Sequence, residues 1–375
     1  FSLLGFLCSY NYLLQMGFYN FALNVPLCLI AIGYWWKHKE NLQITHLAVL
    51  NLLLVTTYFS HFSSYTLLVF ALSFLAGIYS LKHLAHWRDS LKKLLQFWGY
   101  LIPAHFILLD ALLANPENRE SQHKTFDYLW DYFINAKSLV YFNDSYIPIS
   151  WMLLGFVGFC IIWTLIQRVR EKRIFEVRDG FLLLAIILTV LFFRLPWAYG
   201  PPAWINDRVH LFIFPILLGW FAVPQQVWLK RGLIAAMLLM SIWHLSLTIR
   251  DYHLLNKDMR EFTSGVYLIA PNSTVSILEQ GTDWHGAEHH GTIKYLSPFY
   301  HGTVYYCLGN GSHYVANYEP KYSYFPLRYK EGNWKFKYVG RTIDYMLVWR
   351  VDAQSKEVQE LVKDYELIHE TKNLK

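Results

Sequence analysis

The feature that most constrains this chain is a succession of apolar runs, each near the length of a bilayer-crossing helix, that ends at about residue 250. A helix rises about 1.5 Å per residue, so roughly 20 mostly apolar residues cross a hydrocarbon core about 30 Å thick. Runs of this kind lie at about 18–36, 44–59, 64–82, 94–114, 150–169, 180–195, 208–224 and 230–249. Backbone groups find no water in hydrocarbon, so each run has to satisfy its own N–H and C=O groups as a helix. Charged residues make up only 16% of the chain, whereas soluble domains carry about 25%. Mean hydropathy is nevertheless only +0.22, because the last third reads like a water-soluble domain. The expected fold class is therefore mainly α: a polytopic transmembrane helical bundle of about eight spans over 1–250, followed by a small exoplasmic α/β domain over 251–375.

Orientation follows from the loops. Those at 36–44, 83–93, 168–179 and 225–229 fall on one side and carry Lys37, Lys39, Arg88, Lys92, Lys93, Arg170, Lys172 and Arg173 among others. The opposite loops carry fewer cations: Arg119, Lys124, Lys137, Arg194 and Arg208. The excess of Lys and Arg marks the first side as cytoplasmic. The chain is then an integral, multi-pass membrane protein whose 115–149 loop, 196–207 loop and tail are exoplasmic. The positive balance resides in these loops and does not point to nucleic acid.

Candidate site residues gather on the exoplasmic side. Asp207-Arg208 opens the seventh run, and an ionisable pair at a membrane boundary is a functional signal. Arginine is a planar, permanently charged ligand for phosphate oxygens, with Asp207 or His210 available to orient it. The same arginine also suits snorkelling to headgroups. His61 lies in the tight turn between the second and third runs, as a general base, an anion ligand or an interfacial turn residue. Asp110 and His105 are ionisable groups inside the fourth run that can pair within the bundle or face a polar cavity. Residues 127–135 have the aromatic and acidic mixture of a helix lying on a membrane surface.

The tail reads as strand, helix and strand. Residues 251–269 suit a helix continuing from the last run; 274–278 alternates as a strand; 342–351 is an apolar strand; Ser355 caps a helix; and 365–368 is expected as a last short strand. Asn317 and Glu319, among tyrosines, suit a sugar or headgroup surface, or equally a loop packed on the bundle. His285 and His289 have helical metal spacing around Glu288, but neighbouring glycines favour a polar loop over a zinc site. No P-loop, dinucleotide fingerprint or serine-hydrolase elbow occurs, so no cofactor is evident.

The stretch Gly17-Phe18-Tyr19-Asn20-Phe21-Ala22-Leu23-Asn24 resembles the G-F-x-N-F-x-L-G helix start of many uncharacterised bacterial multi-span membrane proteins. Those proteins are similar in layout to the GT-C class of membrane glycosyltransferases. Tyr58-Phe59-Ser60-His61 and the segment from Asn317 to Pro326 look like the same group. The resemblance implies transfer of a sugar from a polyprenyl-phosphate donor, by an inverting mechanism, at the outer face of the membrane during cell-envelope assembly. The class carries its catalytic carboxylate in a first exoplasmic loop, with a divalent metal possible. The chain opens at Phe1 and is expected to be a C-terminal part, with that loop preceding it. Asn24 stands where the pattern has glycine. Two other functions fit the layout: a non-catalytic scaffold or assembly factor, and a lipid or polysaccharide transporter, although the internal repeats common in transporters are not found.

Overall fold

The computed structural model describes residues 4–81, 87–101, 105–106, 109, 121–172, 176–199, 203–222, 226–279, 299, 302–315, 343–351 and 355–375. The chain is mainly helical, with two small sheets among the described residues, and it divides into two compact units. One unit comprises 1–141 and 145–245; the other comprises 142–144 and 246–375.

The first unit opens with two single-turn helices, α1 (Leu4–Leu7) and α2 (Tyr12–Gln15), followed by α3 (Tyr19–His38), α4 (Ile44–Ser60), α5 (Phe62–Leu81) and α6 (Trp87–Tyr100). Then come β1 (Ser121–Gln122), α7 (Phe126–Ile134), α8 (Ile147–Arg170), α9 (Asp179–Arg194), β2 (Ala198–Tyr199), α10 (Ile205–Phe221) and the start of α11 (Val227–Phe262). Among the described residues three helical segments are long and apolar enough to cross a membrane: Phe62–Leu81, Asp144–Arg170 and Val227–Leu268. The apolar α4 is shorter at 17 residues, as are α9 with 16 and α10 with 17. Pro26 interrupts the hydrogen-bond ladder of α3, and Pro215 that of α10. The fourth apolar run, expected over 94–114, begins instead inside α6; most of its second half lies outside the described residues.

Helix α10 is the centre of this unit. Every residue from Asn206 to Leu217 is buried, so no face of it is left to solvent. Close packing depends on Gly219: a Cβ there would meet the Phe181 ring of α9 at 2.6 Å. Polar groups drawn into such an interior need internal partners. Asn206 Nδ2 donates to the Phe192 carbonyl at 2.6 Å, and Asn24 Nδ2 donates to the Thr57 carbonyl at 3.3 Å, joining α3 to α4. At the end of α9 where the helix begins, Asp179 accepts from Arg168 of α8 and from Trp220 Nε1 of α10 at 2.8 Å.

The second unit contains the last turns of α11, then β3 (Thr274–Glu279), β4 (His313–Tyr314), β5 (Tyr345–Trp349) and α12 (Lys356–Val362). Its sheet is parallel in the order β4-β3-β5, with Ile277 opposite Leu347. Val275, Ile277, Leu347 and Trp349 pack on Phe262, Phe299, Tyr306 and Leu374. The Ser355 side chain accepts from Val358 N, which starts α12 as the capping pattern requires. The expected last strand at 365–368 does not form. Leu367 and Ile368 are exposed, and the chain pairs with β5 later, at Leu374 opposite Trp349. That choice buries Leu374 in the core, while Glu261 holds the returning segment through Thr371 and Asn373.

Candidate functional site

The N-terminus of α10 meets the N-terminus of α3, the turn between α4 and α5, and the loop around α7 at one end of the first unit. Trp204 begins α10 in a left-handed backbone conformation, φ 57°, which is costly for a bulky residue and persists only where the surroundings enforce it. Here its ring packs on Trp197 and on Phe18, with centroids 5.3 Å away in both cases, and Ile205 N donates to the Trp197 carbonyl at 3.0 Å. The ribbon β1–β2 secures Trp197 from the other side, since Trp197 N donates to the Gln122 carbonyl at 2.7 Å.

This frame places Asp207, Arg208 and His210 in three distinct environments. Asp207 is buried, and its carboxylate accepts the phenolic O–H of Tyr132. His210 is fully buried among Phe133, Phe192 and Phe214, with Nδ1 3.0 Å from Ser138 Oγ. Arg208 is 8% exposed, and its guanidinium lies over the rings of Phe18 and Phe21 at 5.6 and 5.7 Å. Among the described residues neither Asp207 nor His210 hydrogen-bonds to it, so orientation comes from the aromatic walls. Arg208 Nε and His210 Nε2 are buried with no hydrogen-bond partner among the described residues. Leaving the guanidinium donor unsatisfied costs about 1–3 kcal/mol, which favours a ligand that supplies an acceptor to Arg208.

His61 belongs to the same end. Its ring packs on Phe21 at 5.0 Å, and Nδ1 lies 3.0 Å from Ser63 Oγ. Burial lowers its pKa to about 3, with the Arg208 charge acting the same way, so it is neutral at physiological pH. Lys124, just before α7, sets its ammonium 4.5 Å from the Trp197 ring and acts electrostatically on Asp207. Burial lowers the Lys124 pKa, and the Asp207 carboxylate opposes that. Lys124 and Arg208 both act electrostatically on Asp207. Tyr132, burdened first by burial and then by Asp207, is pushed well above the ordinary phenol pKa and stays a proton donor.

Asp110, Asn317 and Glu319 lie outside the described residues, as do His285 and His289. Among the described residues no group of three His, Cys, Asp or Glu side chains is arranged to hold a metal ion. The residues not singled out from the sequence are Tyr132, Ser138, Phe18 and Phe21. They reach the site from distant elements, and only the aromatic content of α7 and of the α3 start hinted at them. Neither a family model, nor a curated protein, nor a solved structure matches this chain.

Proposed function

We propose that this chain is a multi-span membrane protein of about eight helices whose Arg208 end and tail face the exoplasmic side, and that Arg208 receives the phosphate of a polyprenyl-phosphate sugar donor. The reaction proposed is GT-C-like glycosyl transfer in cell-envelope assembly. One observation carries the reading: a guanidinium withdrawn from water, walled by two phenylalanines, with a buried Nε that has no acceptor among the described residues. Charge developing on a departing lipid phosphate is stabilised by a fixed cation in a water-poor setting. The N-terminus of α10 adds the positive end of its dipole beside that cation. No step is assigned to a metal ion.

Arg208→Lys and Arg208→Ala, expressed equally in membranes of a strain lacking the gene, test the role of the fork. Lysine keeps the charge and loses the bidentate geometry, so it should restore little function. Full function in both variants removes Arg208 from the site. Reporter fusions after residues 175 and 260 test topology: the first should report cytoplasm and the second the exoplasmic side, and a shared side contradicts it.

A further inference from the structure

At the end of the first unit away from Arg208, the C-termini of α3 and α5, the N-terminus of α4 and part of α6 enclose a pocket of about 190 Å³. Its floor is apolar. Trp35 and Phe97 pack with ring centroids 6.2 Å apart, and Leu47 and Ala76 adjoin them. Its rim is polar and cationic. Lys39 holds Nζ 4.0 Å over the Trp36 ring and 3.1 Å from the Trp36 carbonyl, with its side chain only 14% exposed. Glu40 forms a long ion pair with it through Oε1 at 3.8 Å, while its Oε2 accepts from Tyr79 Oη at 2.6 Å. Burial lowers the Lys39 pKa, Glu40 opposes that, and the Arg178 charge adds to it. The helices that line the pocket also expose Ile44, Leu81, Leu91 and Leu95.

We propose that this pocket binds the headgroup end of an anionic phospholipid, with phosphate at Lys39 and the first methylenes on the Trp35–Phe97 floor. An ammonium largely withdrawn from water, holding one carbonyl hydrogen bond and one long ion pair to an exposed carboxylate, has an N–H left for a further anion. The apolar floor and the exposed leucines and isoleucine on the same helices suit an acyl chain and offer nothing to a small hydrophilic ion. Inorganic phosphate shares the charge and lacks the chain, so the two sources separate experimentally.

The test is equilibrium binding of dihexanoyl phosphatidylglycerol to the purified full chain in detergent, with dihexanoyl phosphatidylcholine and inorganic phosphate as competitors. Lys39→Gln should weaken phosphatidylglycerol binding about tenfold, the equivalent of one charge-assisted hydrogen bond. Glu40→Gln removes a competing anion from an exposed side chain and should leave binding equal or tighter; it also shows that the region stays folded. Inorganic phosphate should compete poorly. Equal affinity in wild type and Lys39→Gln overturns the site, and so does weaker binding in Glu40→Gln. Competition by inorganic phosphate at matched concentration overturns the lipid as occupant.

Discussion

Tyr132 donates its phenolic O–H to the carboxylate of Asp207, linking the short helix of the 121–146 segment to the first turn of the central helix across 75 positions of sequence. The bond satisfies a buried carboxylate and leaves the adjacent Arg208 to its aromatic walls. Asp207 and Arg208 are consecutive on the helix and so point in different directions.

Tyr132→Phe keeps the ring and removes the donor. The buried carboxylate then loses its partner at a cost of about 1–3 kcal/mol. Thermal unfolding of the purified variant in detergent should show a lower midpoint than wild type. An unchanged midpoint means that the bond contributes nothing net.

His61 gives the end a pH signature. Its folded pKa is depressed from 6.5 to about 3 by burial and by Arg208, so the unfolded chain takes up the proton first as pH falls. The stability due to neutral His61 is therefore complete above about 6.5 and is lost as pH falls from there towards 3. His61→Gln should flatten the acid limb of a melting-temperature profile over that window. A profile parallel to wild type contradicts the assignment.

In the second unit, Val348 is buried on the strand that also brings Leu347 and Trp349 into the core. Val348→Asp forfeits roughly 1.5–3 kcal/mol of apolar burial and adds an unpaired charge. Limited proteolysis should cut the tail readily and spare the helices of the first unit. A tail as resistant as wild type refutes the buried strand.

How much of this was legible depended on the range of the signal. The run expected at 18–36 falls on Tyr19–His38 and that at 150–169 on Ile147–Arg170, because apolar length and flanking lysines and arginines are local features. Ser355 as a helix cap is equally local. The partners of Asp207 and His210 were not legible. Tyr132 looked like one more aromatic of a surface helix, and Ser138 carried no signal, since only tertiary packing brings them to α10. The last strand was misplaced for a similar reason. Leu367 and Ile368 have strand propensity, but Leu374 is the side chain that fills the space beside Trp349.

The central claim is that Arg208 binds a lipid-linked phosphate, and the most direct measurement is binding of farnesyl monophosphate to the purified full chain in detergent. Wild type, Arg208→Lys, Arg208→Ala and Lys39→Gln are compared at one pH and ionic strength. Saturable binding by wild type is expected, with a component that survives Lys39→Gln and so belongs to the Arg208 end; Arg208→Ala should weaken that component at least about tenfold, with little recovery in Arg208→Lys. Wild-type affinity of that component in Arg208→Ala would contradict the claim.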